Sequence, residues 1–259
     1  MYIDTSTSHS SHPAGNTGAK LRKLAETVER LHARNARRSL EKIIAKVYPA
    51  DIASVLSIIP EEHVAAIFHA IPETTFAADV ITQVNDRVQR LILAETPDSQ
   101  LITVLEKLPP DKRTLLIRDL EPERAELLLS ELEKGSQKEV EALLKHAPDT
   151  AGGIMTTDFF DLTEETTVDE AIRAVREHAE VEMVYYLYVT GANHRLVGVI
   201  SIRQLLLAKP KTLLREVMNS RIISVTTDAD REVVARLVDK YRLLAIPVVD
   251  ASGSLVGMV

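Results

Sequence analysis

The chain of 259 residues has no cysteine and no tryptophan, and only 4% of it is aromatic. Without cysteine there is no disulfide framework, zinc–thiolate site or thiol nucleophile, and the composition suits a reducing compartment. So few rings exclude a stacking platform for single-stranded nucleic acid. A basic surface is lacking as well: 31 Lys and Arg face 38 Asp and Glu, for a net charge of −7. General affinity for phosphate backbones is therefore not expected, and no nucleic-acid partner is assigned. No apolar run approaches the roughly 20 residues that span a bilayer, and no charged-then-apolar leader opens the chain. The expectation is a soluble chain in the cytoplasm. There is no P-loop, Gly-x-Gly-x-x-Gly, Gly-x-Ser-x-Gly or His-Glu-x-x-His. His63, His69, His146 and His178 are scattered without ligand spacing, so the chain is not read as an enzyme.

Acidic charge is concentrated. Between Asp158 and Glu182 nine carboxylates face only Arg173 and Arg176, an excess equal to the whole net charge. Such a stretch is either a solvated face that aids solubility or a field that gathers cations. Residues 1–18 are rich in Ser, Thr, His and Gly and cannot offset their ordering entropy, so a disordered tail is expected there. From 19 to 147 the pattern is helical and repetitive. Pro49, Pro60, Pro72, Pro97, Pro110 and Pro122 punctuate it, with Asn85-Asp86 at the one missing stop, about every twelve residues. Proline suits the first helical position, and the acids that follow complement the helix dipole. Helices this short must bury their apolar stripes on their neighbours, the logic of an α-solenoid. The first helix is expected over about Ala19–Arg38, with Arg34, Arg37 and Arg38 in solvent.

At His146-Ala-Pro-Asp-Thr-Ala-Gly-Gly153 the texture changes to alternating strands and helices. Strands are expected at Asp158–Leu162, Met183–Val189 and Leu196–Ile200. Helices are expected over Thr166–Ala179, opened by a threonine cap and acids, and over Ser201–Ala208. After Pro210 the phrase recurs, with strands at Ile222–Thr226, Leu244–Val249 and Leu255–Val259 and a helix at Asp230–Tyr241. Leu196-Val-Gly-Val and Leu255-Val-Gly-Met lie 59 residues apart, and Val189 and Val249 lie 60 apart. This is a tandem βαββα repeat, divided as 148–210 and 211–259. The second copy stops before its closing helix, so an exposed apolar sheet face and a natural chain running past Val259 are expected.

Leu244-x-x-Pro-Val-Val-Asp250, the paired Leu-Val-Gly and the 60-residue repeat resemble tandem CBS domains. Asp149-Thr-Ala-Gly-Gly-Ile-Met-Thr156, Tyr185-Tyr-Leu-Tyr-Val189 and Val217-Met-Asn219, behind a helical array, resemble the cytosolic part of the MgtE magnesium-channel family. The fold so implied is α plus α/β: a superhelix of short helices followed by a tandem CBS pair. The resemblance implies cytosolic Mg2+ bound at acidic interdomain sites and a pore that closes in response. Its metal-binding positions fall on Asp230 and Glu232, on the backbone carbonyl of Asp239, and on Gly153, whose glycine could otherwise serve a positive φ. An acid of the family falls on Arg242, which either opposes a cation or pairs with Asp239. CBS pairs also take ATP or another adenine nucleotide, and that site maps to Tyr186, Arg203 and Asn219, with Gln204 and Leu243 where the family has an acid and an aromatic. The resemblance further implies a homodimer through the CBS pair, a membrane domain elsewhere in the full-length protein, and a place at the cytoplasmic face of the membrane. Ala171, Val175, Val234, Leu237 and Val238 are the apolar helix residues expected to need a partner's cover. Pro148–Gly153 is expected to be a hinge. The other reading is a stand-alone module that senses adenine nucleotides and regulates another protein.

Overall fold

The computed structural model describes residues 14–177 and 186–259. These divide into two compact units, one up to Leu108 and one from Pro109. The first holds α1 (Ala14–Ala33), α2 (Arg37–Ile44), α3 (Pro49–Leu56), α4 (Glu61–Phe68), α5 (Thr74–Gln83), α6 (Asp86–Glu95) and α7 (Asp98–Leu105). Helices pack on their second neighbours, α3 on α5, α4 on α6 and α5 on α7, with α1 laid along α2, α3 and α4. Helices α2–α7 are two to three turns each and bury an apolar stripe, as with Ile52, Val55 and Leu56 of α3. Helices this short are marginal alone, and packing holds them.

The punctuation works, with a shift of register. Pro49, Pro110 and Pro122 open their helices at the first position, whereas Pro60 and Pro97 stand one place earlier as N-caps. Asn85 supplies the missing stop, its side chain accepting from the Val88 amide at 3.0 Å. The first helix is not continuous to Arg38. Asn35 turns left-handed at φ 50° and splits α1 from α2, a conformation asparagine tolerates. Helix α1 also begins at Ala14, so 14–18 is helical where a tail was expected, and 1–13 lie outside the described residues. Arg34, Arg37 and Arg38 are exposed as expected.

The second unit opens with α8 (Pro110–Arg118), α9 (Pro122–Glu131), α10 (Lys134–Leu144) and α11 (Ala151–Ile154). There follow β1 (Asp161–Thr163), α12 (Val168–Glu177), β2 (Tyr186–Thr190), β3 (Leu196–Ser201), α13 (Ile202–Leu207), α14 (Leu214–Val217), β4 (Val225–Thr226), α15 (Arg231–Tyr241), β5 (Pro247–Val249) and β6 (Leu255–Met258). The expected strand start at Met183 and helix end at Ala179 fall outside the described residues. Two sheets result, β1-β2-β3 and β4-β5-β6, each with a parallel first pair and an antiparallel second. Both carry a register shift at the same place, between Val189 and Thr190 and between Val248 and Val249.

The repeated Leu-Val-Gly has a packing cause. A Cβ on Gly198 would sit 2.2 Å from the Met218 sulfur, and one on Gly257 would sit 2.6 Å from the Met155 sulfur and 2.8 Å from the Thr156 carbonyl. In each copy the glycine admits the methionine of an Ile-Met-Thr or Val-Met-Asn phrase, next to the backbone bridges Val199–Asn219 and Thr156–Met258.

Copy one encloses Phe160, Val168, Ala171, Leu187, Val189, Ile200, Leu205 and Leu214. The core of copy two recruits residues from ahead of the first strand of copy one: Leu143, Ala151 and Met155 pack with Val225, Val234, Ile246 and Val248. The strand residues of the shorter copy are therefore covered, contrary to the expected bare face, because the segment from Leu143 to Met155 fills in. The same packing places α8–α10 in one compact unit with the repeats. It also removes the argument for a partner's cover over Ala171 and Val234, which lie in their own cores, with Val175, Leu237 and Val238 packed against them. The exposed apolar residues here are instead Leu206, Leu207, Val233, Tyr241 and Leu244.

Candidate functional site

The junction from 149 to 153 is pinned rather than hinged. The amides of Ala151 and Gly152 donate to the carbonyls of Ala229 at 2.7 Å and Thr227 at 2.8 Å, and the Arg231 amide donates to the Asp149 carbonyl at 2.8 Å. Ala151 and Gly152 are buried. A Cβ on Gly153 would lie 2.0 Å from the Ala147 carbonyl oxygen. Gly153 thus serves close approach; the one glycine of positive φ among the described residues is Gly253.

Of the four residues implied as metal positions, Asp239 stands apart from Asp230 and Glu232 along α15. Asp230 is the N-cap of α15, its carboxylate accepting the Glu232 amide at 2.7 Å, while Glu232 itself is exposed. The carbonyl of Asp239 takes the Arg242 amide at the helix end. At 1.5 Å per residue, Asp239 stands about 14 Å along the helix from Asp230, too far to share an ion. The Gly153 carbonyl already accepts a cation: the Arg118 guanidinium donates to it at 3.0 Å and also to the carbonyls of Leu143 at 3.0 Å and His146 at 2.8 Å. Burial holds the Arg118 pKa below its ordinary value. Arg118 was not singled out in the sequence, since a single arginine of a short helix carries no signal of its distant partners. Among the described residues no three His, Asp or Glu side chains form a metal-holding group. One of the scattered histidines, His63, does meet another ring, that of His32, with centroids 5.0 Å apart, but among the described residues no third ligand completes a site.

The acidic stretch is partly neutralised where it is described. Glu165 pairs with Arg215, Asp169 with Arg173 at 3.0 Å, and Asp161 accepts the Thr190 hydroxyl at 2.9 Å. Thr167 caps α12: its hydroxyl and amide both donate to Glu170 and hold that carboxyl below its ordinary pKa.

A cleft of about 210 Å3 opens between the two repeats. Its apolar wall is Val199, Ile222, Ile223, Leu243, Ala245 and Pro247, and its polar lining is Tyr186, Tyr188, Ser201, Gln204, Asn219 and Arg221. Tyr186 and Asn219 are where the resemblance implies a nucleotide site. Arg203 is exposed and does not line the cleft, being one position off the face that Gln204 presents. Arg221 lines it instead, its amide tied to the Asn219 side chain at 3.0 Å. Burial, with Tyr186 adding, pushes the Tyr188 phenol well above its ordinary pKa, so its hydroxyl stays protonated and points to the Met258 sulfur at 3.8 Å.

A short-helix array leading into two βαββ units with a cleft between them is the architecture of a helical domain joined to a CBS pair. Residues 47–149 match the MgtE intracellular N domain, and 151–211 and 214–259 match the CBS domain. The crystal structure of the cytosolic domain of the Mg2+ channel MgtE in complex with ATP superposes with a TM-score of 0.85 and 32% identity, over 91% of this chain and 96% of that one. The chain belongs to the MgtE family. The soluble part of a magnesium transporter aligns with a TM-score of 0.80 and 26% identity, over 92% of this chain and 94% of that one. The magnesium transporter MgtE of Bacillus subtilis is 32% identical over 223 residues, 86% of this chain and 49% of that protein. The Thermus thermophilus MgtE is 44% identical over 125 residues, 48% of this chain and 28% of that protein. The chain thus spans at most about half the length of these curated relatives. Among the described residues no helix is long and apolar enough to cross a membrane.

Proposed function

We propose that this chain is the regulatory part of a magnesium transporter, acting at the cytoplasmic face of the membrane on a pore carried elsewhere in the full-length protein. The observation that carries the reading is the likeness, along nearly the whole of both chains, to the cytosolic domain of a Mg2+ channel. Mg2+ takes oxygen ligands and keeps several waters. Exposed carboxylates such as Asp230 and Glu232 therefore suit weak, water-mediated binding rather than a closed cage, and the separation of Asp239 and the engagement of Gly153 argue against one shared site. The cleft around Tyr186 is the adenine-nucleotide site in this reading. The protein works as a homodimer through the CBS pair, with no catalytic step. Fusion of the repeats to an MgtE N domain favours this over a stand-alone nucleotide sensor.

Calorimetric titration with Mg2+ to about 10 mM, suited to weak carboxylate sites, together with small-angle scattering, tests the proposal. Binding heat and compaction are expected, and both should diminish in Asp230→Asn with Glu232→Gln. The absence of both binding heat and any change in radius of gyration would refute Mg2+ sensing by this chain.

A further inference from the structure

The polar groups of the cleft between the repeats are unequal in kind. Ser201 and Gln204 form a reciprocal cap at the start of α13. The Gln204 side-chain oxygen accepts both the Ser201 amide at 3.0 Å and the Ser201 hydroxyl at 2.9 Å, and the Ser201 oxygen accepts the Gln204 amide at 3.2 Å. Because the Ser201 amide can only donate, the atom facing it must be the glutamine oxygen, which leaves the glutamine NH2 for a ligand. The Asn219 oxygen is likewise engaged by the Arg221 amide, leaving its NH2. Arg221 has no carboxylate partner among the described residues, and no Asp or Glu lines the cleft. The cavity thus offers two tyrosines and an apolar wall for a flat ring, and a rim of hydrogen-bond donors with one free cation. A ribose diol is gripped most strongly by a carboxylate, which accepts from both hydroxyls. Phosphate oxygens need donors, and an arginine fork fits them best.

We propose that this cleft selects its ligand by the phosphate group, through Arg221, and is indifferent to the ribose hydroxyls, so that ribo- and deoxyribonucleotides of adenine are equivalent ligands. The inference rests on the reading of the cleft as an adenine-nucleotide site. Arg221 acts as the specificity residue and Arg203 does not take part. Titration of the full chain with ATP, dATP and adenosine in magnesium-free buffer keeps the acidic sites silent. ATP and dATP should bind within about threefold of each other, and adenosine at least about tenfold more weakly, the scale of one charged hydrogen bond or more. Arg221→Ala should lose at least about tenfold for both nucleotides while leaving adenosine unchanged, with Arg203→Ala as the control that binds like the wild type. Circular dichroism of each variant confirms folding. If ATP binds and dATP is about tenfold weaker, or if Arg221→Ala binds ATP normally, the phosphate-only selection is overturned and the nucleotide site stands. If ATP gives no heat at all, the nucleotide reading itself fails and the proposal with it.

Discussion

Replacing Arg118 should loosen the junction more than any other single exposed-to-half-buried change. Its guanidinium donates three hydrogen bonds, to the carbonyls of Leu143, His146 and Gly153. A hydrogen bond from a charged donor contributes about 1.5–3 kcal/mol when well buried. Arg118 is only half-buried, and water replaces part of each bond when it is lost, so about 1 kcal/mol apiece is the fitting value. Its charge also sits at the C-terminal end of α10, which adds about 0.5 kcal/mol. Arg118→Ala therefore costs about 3.5 kcal/mol, roughly a 300-fold rise in local opening. The readout is amide hydrogen exchange, because the loss is local and the chain has more than one unit. The reporters are the amides of Ala151, Gly152 and Arg231, whose bonds to Ala229, Thr227 and Asp149 fix the junction against the start of α15. Arg118→Lys keeps the charge but not the planar fork that reaches three carbonyls, and it should recover less than half of the lost protection. Exchange raised less than about threefold in Arg118→Ala would refute the reasoning, and full protection in Arg118→Lys would refute the role of the fork.

The glycines of the two Leu-Val-Gly phrases should differ when tested by urea denaturation. Gly257→Ala meets the Thr156 backbone as well as Met155 and should cost about 2–3 kcal/mol, whereas Gly198→Ala meets Met218 from its Cβ to its sulfur but no backbone and should cost less, about 1–2 kcal/mol; equal losses would contradict the packing argument. Arg242 is left-handed at φ 53° and lies 3.9 Å from Asp239, with both side chains more than 80% exposed. Arg242→Gly should stabilise by about 0.5–1 kcal/mol through relief of that backbone, and a side-by-side Mg2+ titration of Arg242→Asp shows whether the arginine opposes a bound cation. Desolvation lowers the pKa of His69, against an opposing effect of Glu95, and its ring lies 3.1 Å from the Thr96 hydroxyl. A folded-state pKa below the unfolded value of 6.5 means that the unfolded chain binds the extra proton first. The His69 contribution should therefore be present above pH 6.5 and fall away as pH drops through and below that value, and His69→Gln should flatten this part of the stability-versus-pH curve.

Local chemistry made much of the architecture legible in the sequence. Proline and asparagine stops mark helix starts because a missing N–H or a capping oxygen acts at that very position, and the 60-residue echo of Leu-Val-Gly marks two copies of one unit. The glycine in that echo could be seen but its reason could not, since Met218 and Met155 lie 20 and 102 residues away in the chain. Tyr186 and Asn219 carried enough resemblance to be placed at the cleft. Arg203 and Arg221 could not be told apart, because which arginine faces the cavity depends on the course of α13 and of the strap after Asn219. The metal positions show the same limit. Asp230 and Glu232 announce a helix start by sequence alone, but only the fold reveals that one Asp230 oxygen also caps its own helix and that Arg118 donates to the Gly153 carbonyl. What the sequence by itself determined is the set of elements, the repeat and the chemical kind of each candidate group, all governed by neighbours within about one helical turn. Tertiary structure alone decided which groups remain free: hydrogen bonds between residues 35 apart use up an acceptor or leave a donor, and packing of Leu143, Ala151 and Met155 into the second repeat turns a presumed hinge into part of a core.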